Sequence, residues 1–314
     1  MHQNNLSTPQ IMHQVIIALV FGVAAMYHFF GWGVLWQIGL AVTTALLVES
    51  TFLKIRKLPI KPTINDGSAA LSAILLAISI PSIAPWWVVV LGVSFAIIFG
   101  KQLYGGLGSN PFNPAMLGYV FLLISYPLPM TTWADTFVNL PQATAIIFNL
   151  HEVDALSGAT TLDTVKTQLG LGVAIHQINT YSNAQTWINI GFLLGGVYLL
   201  ARRLITWHIP LAFIVGIVTT ASVVSLTHHQ TLPVLSHLLL GATMLGAFFI
   251  ATDPVSACTT PRGRLIYGFL CGVLVVTIRM FGGYPDGVAF AVLLMNIAVP
   301  LIDYYTQPKV FGQR

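Results

Sequence analysis

The sequence predicts an all-α integral membrane protein, and three observations lead to that fold class. Of the 314 residues, 56% are hydrophobic and 7% are charged, whereas an ordinary soluble domain has roughly 25% charged residues. The mean hydropathy is +0.81. The apolar residues are gathered in runs close to the roughly 20 residues that an α-helix needs to cross a bilayer. Too few charges remain to cover a soluble fold of this length, so the bilayer must be its solvent.

Ten such runs predict about ten transmembrane helices, five on each side of one long polar segment. They span approximately Ile11–Phe30, Val34–Leu53, Gly67–Ile80, Trp86–Leu103, Pro114–Tyr126, Ile188–Leu204, Ile209–Leu226, Leu238–Ala251, Leu265–Met280 and Gly287–Tyr304. Several, the third, fifth and eighth among them, are shorter than a full span. The chain therefore divides into a first membrane half (1–126), a connecting segment (127–187) and a second membrane half (188–314).

The basic residues orient these helices. With both termini in the cytoplasm, 11 of the 13 Lys and Arg residues fall on the cytoplasmic side, and only Lys166 and Arg279 fall on the other. This is the asymmetry that the positive-inside rule describes. The same residues form no patch, so the net charge of +4 does not indicate nucleic acid. The connecting segment is then expected outside the cytoplasm.

An odd number of helices in each half implies that, if the halves share a fold, they are inverted relative to each other, as in many membrane carriers. Helix-breaking sequences at corresponding depths support this interpretation: Gly105–Pro114 in the first half and Thr252–Arg264 in the second. Asn113-Pro114 and Asp253-Pro254 each place a capping residue before a proline at a helix start. Free N–H groups at such starts favour an anion or an electron-rich carbonyl, and the alternative is an ordinary tight turn.

Other polar residues in or beside the apolar runs have simpler explanations. Glu49, Asp303, Asp66 and Asp286 lie near predicted helix ends, so snorkelling or capping is favoured over a functional buried charge. Cys258 and Cys271 have no metal-ligand spacing and are expected to pack as small apolar residues.

The connecting segment contains the most distinctive motif of the chain. An acidic residue precedes a turn of small residues that ends in a threonine: Asp154-Ala155-Leu156-Ser157-Gly158-Ala159-Thr160. No Gly-x-Ser-x-Gly elbow surrounds it, which argues against a hydrolase, and no Gly-Lys-Ser/Thr follows, which argues against a phosphate-binding loop. The remaining alternatives are a solvated surface loop and an acceptor site for a covalent modification.

This motif resembles the flavinylation motif of bacterial membrane flavoproteins, although alanine stands at position 155 where glycine is frequent. Further stretches, in the same order along the chain, resemble the RnfD/NqrB family, and within it the RnfD branch, which lacks the longer N-terminal extension of NqrB. They are Asn110-Pro111-Phe112-Asn113-Pro114-Ala115-Met116-Leu117-Gly118, Thr252-Asp253-Pro254-Val255-Ser256, Gly282-Gly283-Tyr284-Pro285-Asp286-Gly287-Val288-Ala289-Phe290, Met295-Asn296 and Pro300-Leu301-Ile302-Asp303.

The resemblance implies a subunit of a multi-subunit complex that couples electron flow between ferredoxin and NAD to Na⁺ or H⁺ movement, and that is not catalytic alone. It implies FMN in phosphoester linkage to Thr160, placed there by a flavin transferase, with Asp154, Ser157, Gly158 and Ala159 as the attachment motif. It also implies a second, non-covalent flavin such as riboflavin, for which Asn110, Asn113 and Asp253 are the candidate contacts. The alternatives are an NqrB-like subunit of a quinone reductase, a channel or secondary transporter without a redox role, and a structural anchor for partner subunits.

Overall fold

A computed structural model describes residues 6–149, 157–228 and 230–308 of the chain. Within these ranges the first membrane half contains helices α1 (Thr8–Phe30), α2 (Trp32–Ile55), α3 (Ile60–Ile64), α4 (Ser68–Ala77), α5 (Trp86–Gly100) and α6 (Pro114–Ser125). The connecting segment contains α7 (Pro127–Thr131), β1 (Trp133–Ala134), α8 (Leu140–Ile147), β2 (Ser157–Gly158) and α9 (Thr161–Gly170). The second half contains α10 (Asn183–Ala201), α11 (His208–Thr227), α12 (Val234–Leu239), α13 (Thr243–Leu245), α14 (Pro261–Phe281) and α15 (Val288–Thr306).

The predicted all-α membrane fold is confirmed. Seven helices of the described part are long and apolar enough to cross a membrane: Thr8–Phe30, Trp32–Ile55, Trp86–Tyr104, Asn183–Ala201, His208–Thr227, Pro261–Phe281 and Val288–Thr306. The third and fifth predicted spans are the shorter apolar helices α4 and α6. The eighth is broken into α12, α13 and a π-helical turn, Gly246–Ile250.

The two halves pack their helices in the same order. In the first half α2 packs on α4 and α5, and α5 packs on α6; in the second, α11 packs on α12, the π-helical turn and α14, and α14 packs on α15. Across the halves α1 packs on α10, and α6 packs on α15. Each of these pairs joins helices at the same position in their halves, which is the pattern that two related five-helix units around a pseudo-two-fold axis produce.

This packing order changes the predicted match between the two helix breaks. The segment 105–113 joins the fourth and fifth helices of its half, whereas 251–260 joins the third and fourth helices of its own. The positional counterpart of 105–113 is therefore 282–287, between α14 and α15. The two breaks that looked equivalent in the sequence are different parts of the repeat.

Glycine faces bring the long helices close together. A Cβ on Gly195 of α10 would lie 2.2 Å from the carbonyl oxygen of Ala18 on α1, and one on Gly272 of α14 would lie 2.2 Å from that of Phe213 on α11. No side chain fits at such positions, so the backbones themselves are in contact. Small residues at helix crossings are the usual means of tight packing between membrane helices.

The connecting segment docks on both halves. Its first part packs through Val138, Ala143 and Ile147 against Phe30 and Trp36 of the first half. Its later part contributes Leu162, Val165 and Ile178 to a cluster with Leu232 and Leu240 of the second half. An antiparallel pairing of β1 with β2, in the register Trp133↔Gly158 and Ala134↔Ser157, joins the two parts across the boundary between the halves.

Candidate functional site

Thr160 lies where the strand pair ends and a helix begins. It is the N-cap residue of α9, with an extended backbone (φ −64°, ψ 156°) and with its hydroxyl oxygen accepting a hydrogen bond from the backbone N–H of Asp163 at 3.2 Å. Ala159 before it is exposed. A Cβ on Gly158 would lie 2.1 Å from a carboxylate oxygen of Asp135, which explains the glycine at this position. Asp154, the acidic residue of the motif, lies outside the described residues.

The helix that starts at Thr160 is fixed to the second half. Leu162 and Val165 are buried, and the ammonium group of Lys166 donates hydrogen bonds to the backbone carbonyls of Arg279 (3.2 Å) and Tyr284 (2.8 Å). Partial burial lowers the pKa of Lys166 below its ordinary value, and nearby Asp163 opposes that shift. Lys166 therefore acts as a structural anchor between α9 and the chain around the α14–α15 turn.

A largely apolar cavity between the two halves borders Thr160. Its lining includes Thr160 and Asp163 at the start of α9, aromatic side chains of both halves, and Met116 and Ile250 further along α6 and the π-helical turn. The aromatic lining residues are Phe30, Tyr119, Trp133 and Phe192. An apolar cleft with a few polar groups is the usual form of a small-molecule or cofactor site.

The candidate residues Asn113 and Asp253 come close together because the halves meet there. The backbone N–H of Asn113 donates to the side-chain oxygen of Asn296 (3.2 Å), and its side-chain amide donates to the carbonyl of Ile250 (3.3 Å). Asn296 donates in turn to the carbonyl of Ser256 at 2.9 Å. The wide π-helical turn ending at Ile250 provides the carbonyl that Asn113 contacts.

Each of these predicted contacts already has a partner within the chain. The side-chain oxygen of Asn113 accepts from the N–H of Met116 at 3.2 Å, which confirms its capping role. Asp253 accepts from the hydroxyl of Ser256 at 2.7 Å, and Asn110 donates to the carbonyl of Phe112 at 3.0 Å. These groups hold loops and helix ends in place, and Asn296, inside an apolar span, joins them across the halves.

A buried ion pair lies in the first half, where snorkelling was expected for Glu49. The Glu49 side chain is 0% exposed and that of Lys101 is 2% exposed, with 2.5 Å between the ammonium nitrogen and Oε1 of the carboxylate. Lys101 also donates to the hydroxyl of Ser68 at 2.7 Å, and the side-chain amide of Gln102 donates to the same Glu49 oxygen at 2.7 Å. The prediction for Glu49 was wrong because its partner lies 52 residues away and faces it only after α2 and α5 have packed.

A second ion pair lies in the second half, beside the cavity. Arg279 donates to Asp286 (3.0 Å), to the hydroxyl of Thr243 (2.9 Å) and to the carbonyl of His237 (2.6 Å). Asp286 also accepts from the backbone N–H groups of Ala242 and Val288 at 2.8 and 3.3 Å, so the expected capping role is combined with an ion pair. Asp303 caps the approach to α14 by accepting from the backbone N–H of Thr259 at 3.0 and 3.1 Å.

Asn113 caps a helix as predicted, whereas the prediction of a helix start at Asp253-Pro254 was wrong. Asp253 accepts from the N–H of Val255 and the hydroxyl of Ser256 within a turn, and the next helix, α14, begins only at Pro261 with Thr260 as its N-cap. Sequence reasoning also missed Lys101, Gln102, Asn296 and the anchoring role of Lys166. The available signal was a charged or amide side chain in or next to an apolar run. Lys101 was counted only as a topology marker, although its side chain is buried.

Comparisons with known proteins show which family the chain belongs to. A model of the NQR2, RnfD, RnfE family matches residues 1–312. Similar proteins in Shigella flexneri and Escherichia coli, each named as the D subunit of the ion-translocating oxidoreductase complex, are 52% identical over an alignment that covers 99% of this chain and 96% of theirs. A family match over nearly the whole length, together with such identity, is decisive for membership. The chain belongs to the NQR2, RnfD, RnfE family.

Proposed function

We propose that this chain is the flavin-carrying membrane subunit of an Rnf-type ion-translocating oxidoreductase complex, with FMN held in phosphoester linkage to Thr160. The observation that carries the proposal is the placement of this hydroxyl at the start of α9, beside the cavity between the halves. The near full-length similarity to relatives named as complex subunits supports the same assignment.

The start of a helix suits a phosphoester. The first N–H groups of α9 have no partner within the helix, and the helix dipole places partial positive charge there. A phosphate joined to the Thr160 oxygen would be bound by those N–H groups, as anions are at other helix starts. Thr161, next in the chain, is already inside α9, so its hydroxyl does not have the same position at the cap.

The surroundings of Thr160 suit a planar redox group. The motif glycine at 158 leaves room for the Asp135 carboxylate, and the exposed Ala159 leaves the approach to the threonine open. The cavity beside it is lined with aromatic and aliphatic side chains. The flavin supplies the electron chemistry when attached, and the protein supplies its position and electrostatic surroundings.

The second flavin stays a prediction that rests on the family resemblance. Asn113 and Asp253 use their side-chain polar atoms for contacts within the chain, and the amide nitrogen of Asn110 donates to Phe112. A non-covalent flavin such as riboflavin in this region would therefore be contacted through the Asn110 side-chain oxygen or through backbone atoms, for example those of the break at 252–257.

The proposed setting is a bacterial inner membrane, with the N- and C-termini in the cytoplasm and α9 on the opposite side. The charge asymmetry of the sequence supports that orientation. The partners would be the other membrane and peripheral subunits of the complex, and a flavin transferase during maturation. Electron transfer coupled to Na⁺ or H⁺ movement would be the activity of the assembled complex.

Denaturing electrophoresis under ultraviolet light tests the attachment. The full chain, produced together with a flavin transferase, is expected to fluoresce in the gel, and Thr160→Val is expected to abolish the fluorescence. Thr161→Val is the matched control and should keep it, and mass spectrometry of the peptide should show the added FMN.

Fluorescence that survives in Thr160→Val would place the attachment elsewhere. A chain made with the transferase that never fluoresces would contradict a covalent flavin altogether. If that chain then moved an ion or solute in proteoliposomes without its partners, the channel or transporter alternative would replace the proposal.

A further inference from the structure

The buried ion pair of the first half has two unpartnered oxygen atoms beside it. Oε1 of Glu49 accepts from Lys101 and Gln102, whereas Oε2 of Glu49 and Oε1 of Gln102 have no hydrogen-bond partner within the described residues. Glu49 and Gln102 are 0% and 1% exposed. A buried acceptor without a donor is costly, so the free carboxylate oxygen indicates a place where a proton can be bound.

The second half contains a comparable ion pair in a closed form. There a basic residue near the end of the fourth helix, Arg279, contacts the carboxylate of Asp286, just before the fifth helix, and the hydroxyl of Thr243 at the start of α13. Both carboxylate oxygens of Asp286 have donors: Oδ1 accepts from Arg279 and Oδ2 from the N–H of Ala242. The open oxygen of Glu49 is therefore not a general consequence of the repeat, and it distinguishes the first half.

A continuous chain of hydrogen bonds joins Glu49 to the face of the protein. Lys101 donates to Glu49 (2.5 Å) and to the hydroxyl of Ser68 (2.7 Å), and this hydroxyl donates to Asp66 (2.5 Å). Asp66 is partly exposed, and the chain just before it contains the exposed basic residues Lys57 and Lys61, so this face of the protein is basic. Arg56 belongs to the same stretch, and its guanidinium donates to the backbone carbonyl of Gln102 at 3.0 Å.

We propose that Glu49 is a proton-loading site, reached from this basic face through Asp66, Ser68 and Lys101. Once Asp66 has taken up a proton, Lys101 gives one of its ammonium protons to the Glu49 carboxylate and becomes a neutral amine. The Ser68 hydroxyl, which donates to Asp66 while Asp66 is ionised, turns toward this amine, gives it the hydroxyl proton and receives the proton of Asp66. Lys101 ends as the ammonium ion with which it began, Ser68 is again a hydroxyl, and Asp66 is again a carboxylate. The net change is one proton moved from the surface to Glu49, and the pair changes from neutral to singly positive.

This inference extends the ion-translocating part of the proposed function and is independent of flavin attachment. Infrared spectroscopy of the purified full chain tests it without partners or flavin, so its failure would not bear on Thr160. On lowering the pH, the carbonyl band of protonated carboxyl groups should grow and contain a component that is missing in Glu49→Gln and shifted in Glu49→Asp. The double variant Glu49→Gln/Lys101→Met, in which no buried charge is left unpaired, should lack this component as well. It covers the case in which Glu49→Gln does not fold.

The rate of deuterium exchange at this band tests the path. Ser68→Ala removes the link between Lys101 and Asp66, and it should slow exchange by roughly 100-fold, the range for a positioned proton-transfer group. Ser94→Ala is the matched control, because the Ser94 hydroxyl bonds only to its own helix at Val90 in the described structure, and it should exchange as the unmodified chain does. A band unaffected by substitution at Glu49, or none at any pH at which the chain stays folded, would overturn the site. Equal exchange in the two serine variants would overturn the path.

Discussion

Breaking the Glu49–Lys101 pair on one side is expected to destabilise the protein more than removing both charges. Both side chains are essentially inaccessible to solvent, and the two charged atoms are 2.5 Å apart. Lys101→Met leaves a buried carboxylate with the Gln102 amide as its remaining donor. Removing one partner of a buried pair costs about 3–5 kcal/mol, which lowers the ratio of folded to unfolded protein by roughly 100-fold or more.

The double variant should recover most of that loss. In Glu49→Gln/Lys101→Met no buried charge remains, and the new amide still offers an acceptor to Gln102. Replacing a buried ion pair by neutral groups of similar size is often close to neutral. The coupling energy, the sum of the two single losses minus the loss in the double variant, should therefore be at least about 3 kcal/mol.

The free energy of unfolding of Glu49→Gln, Lys101→Met and the double variant can be measured in mixed micelles. Tryptophan fluorescence follows unfolding as the proportion of denaturing detergent is increased. Lys54→Met is the control, because Lys54 is exposed and lies on α2, the helix that contains Glu49. It should change the free energy of unfolding by no more than about 0.5 kcal/mol. If the double variant loses as much as the two single variants together, the two residues do not interact, and the pairing argued from the distance is refuted.

Three other substitutions test the anchor, the packing and the contact between the halves. Lys166→Met removes the donor to the backbone carbonyls of Arg279 and Tyr284. The rate of backbone amide hydrogen exchange in α9 should therefore rise in this variant and return to normal in Lys166→Arg. An unchanged rate in Lys166→Met would contradict the anchoring role. Gly272→Val places a side chain against a backbone carbonyl of α11, and this overpacking should lower the free energy of unfolding by about 1–3 kcal/mol. Gly39→Ala is the control and should be tolerated, because nothing lies within 4 Å of a Cβ at that position. Equal effects of the two substitutions would argue against the close crossing of α11 and α14. Asn296→Leu removes the acceptor for the N–H of Asn113 and the donor to the carbonyl of Ser256. The free energy of unfolding should fall by about 1–3 kcal/mol in the same micelle titration. No loss would mean that this contact does not join the halves.

The parts of the fold that depend on local patterns could be predicted from the sequence. Apolar runs located the membrane helices, and Asn113-Pro114 marked the start of α6, where Asn113 caps the helix. The small-residue motif singled out the Thr160 hydroxyl, and the structure adds that this hydroxyl caps the first turn of α9. Each of these features is decided within a few residues along the chain.

The features that depend on tertiary packing could not be predicted in the same way. Lys101 lies near the end of an apolar run, as a topology marker does, and its burial beside Glu49 exists only once α2, α4 and α5 have packed. The contact of Asn113 with Asn296 joins residues 183 positions apart. Hydropathy and capping patterns report the environment of a segment, and they contain no information about which distant segment faces it.

The anchoring of α9 has a mechanical consequence. Lys166 is bonded to one carbonyl near the end of α14 and to another in the turn before α15. Those two helices cannot change their relative position without moving Thr160 or breaking these bonds. The linkage acts in both directions, so whatever restrains the start of α9 also restrains α14 and α15. Because Thr160 and Lys166 belong to the same short helix, a relative displacement of α14 and α15 with these bonds intact is expected to displace Thr160 as well.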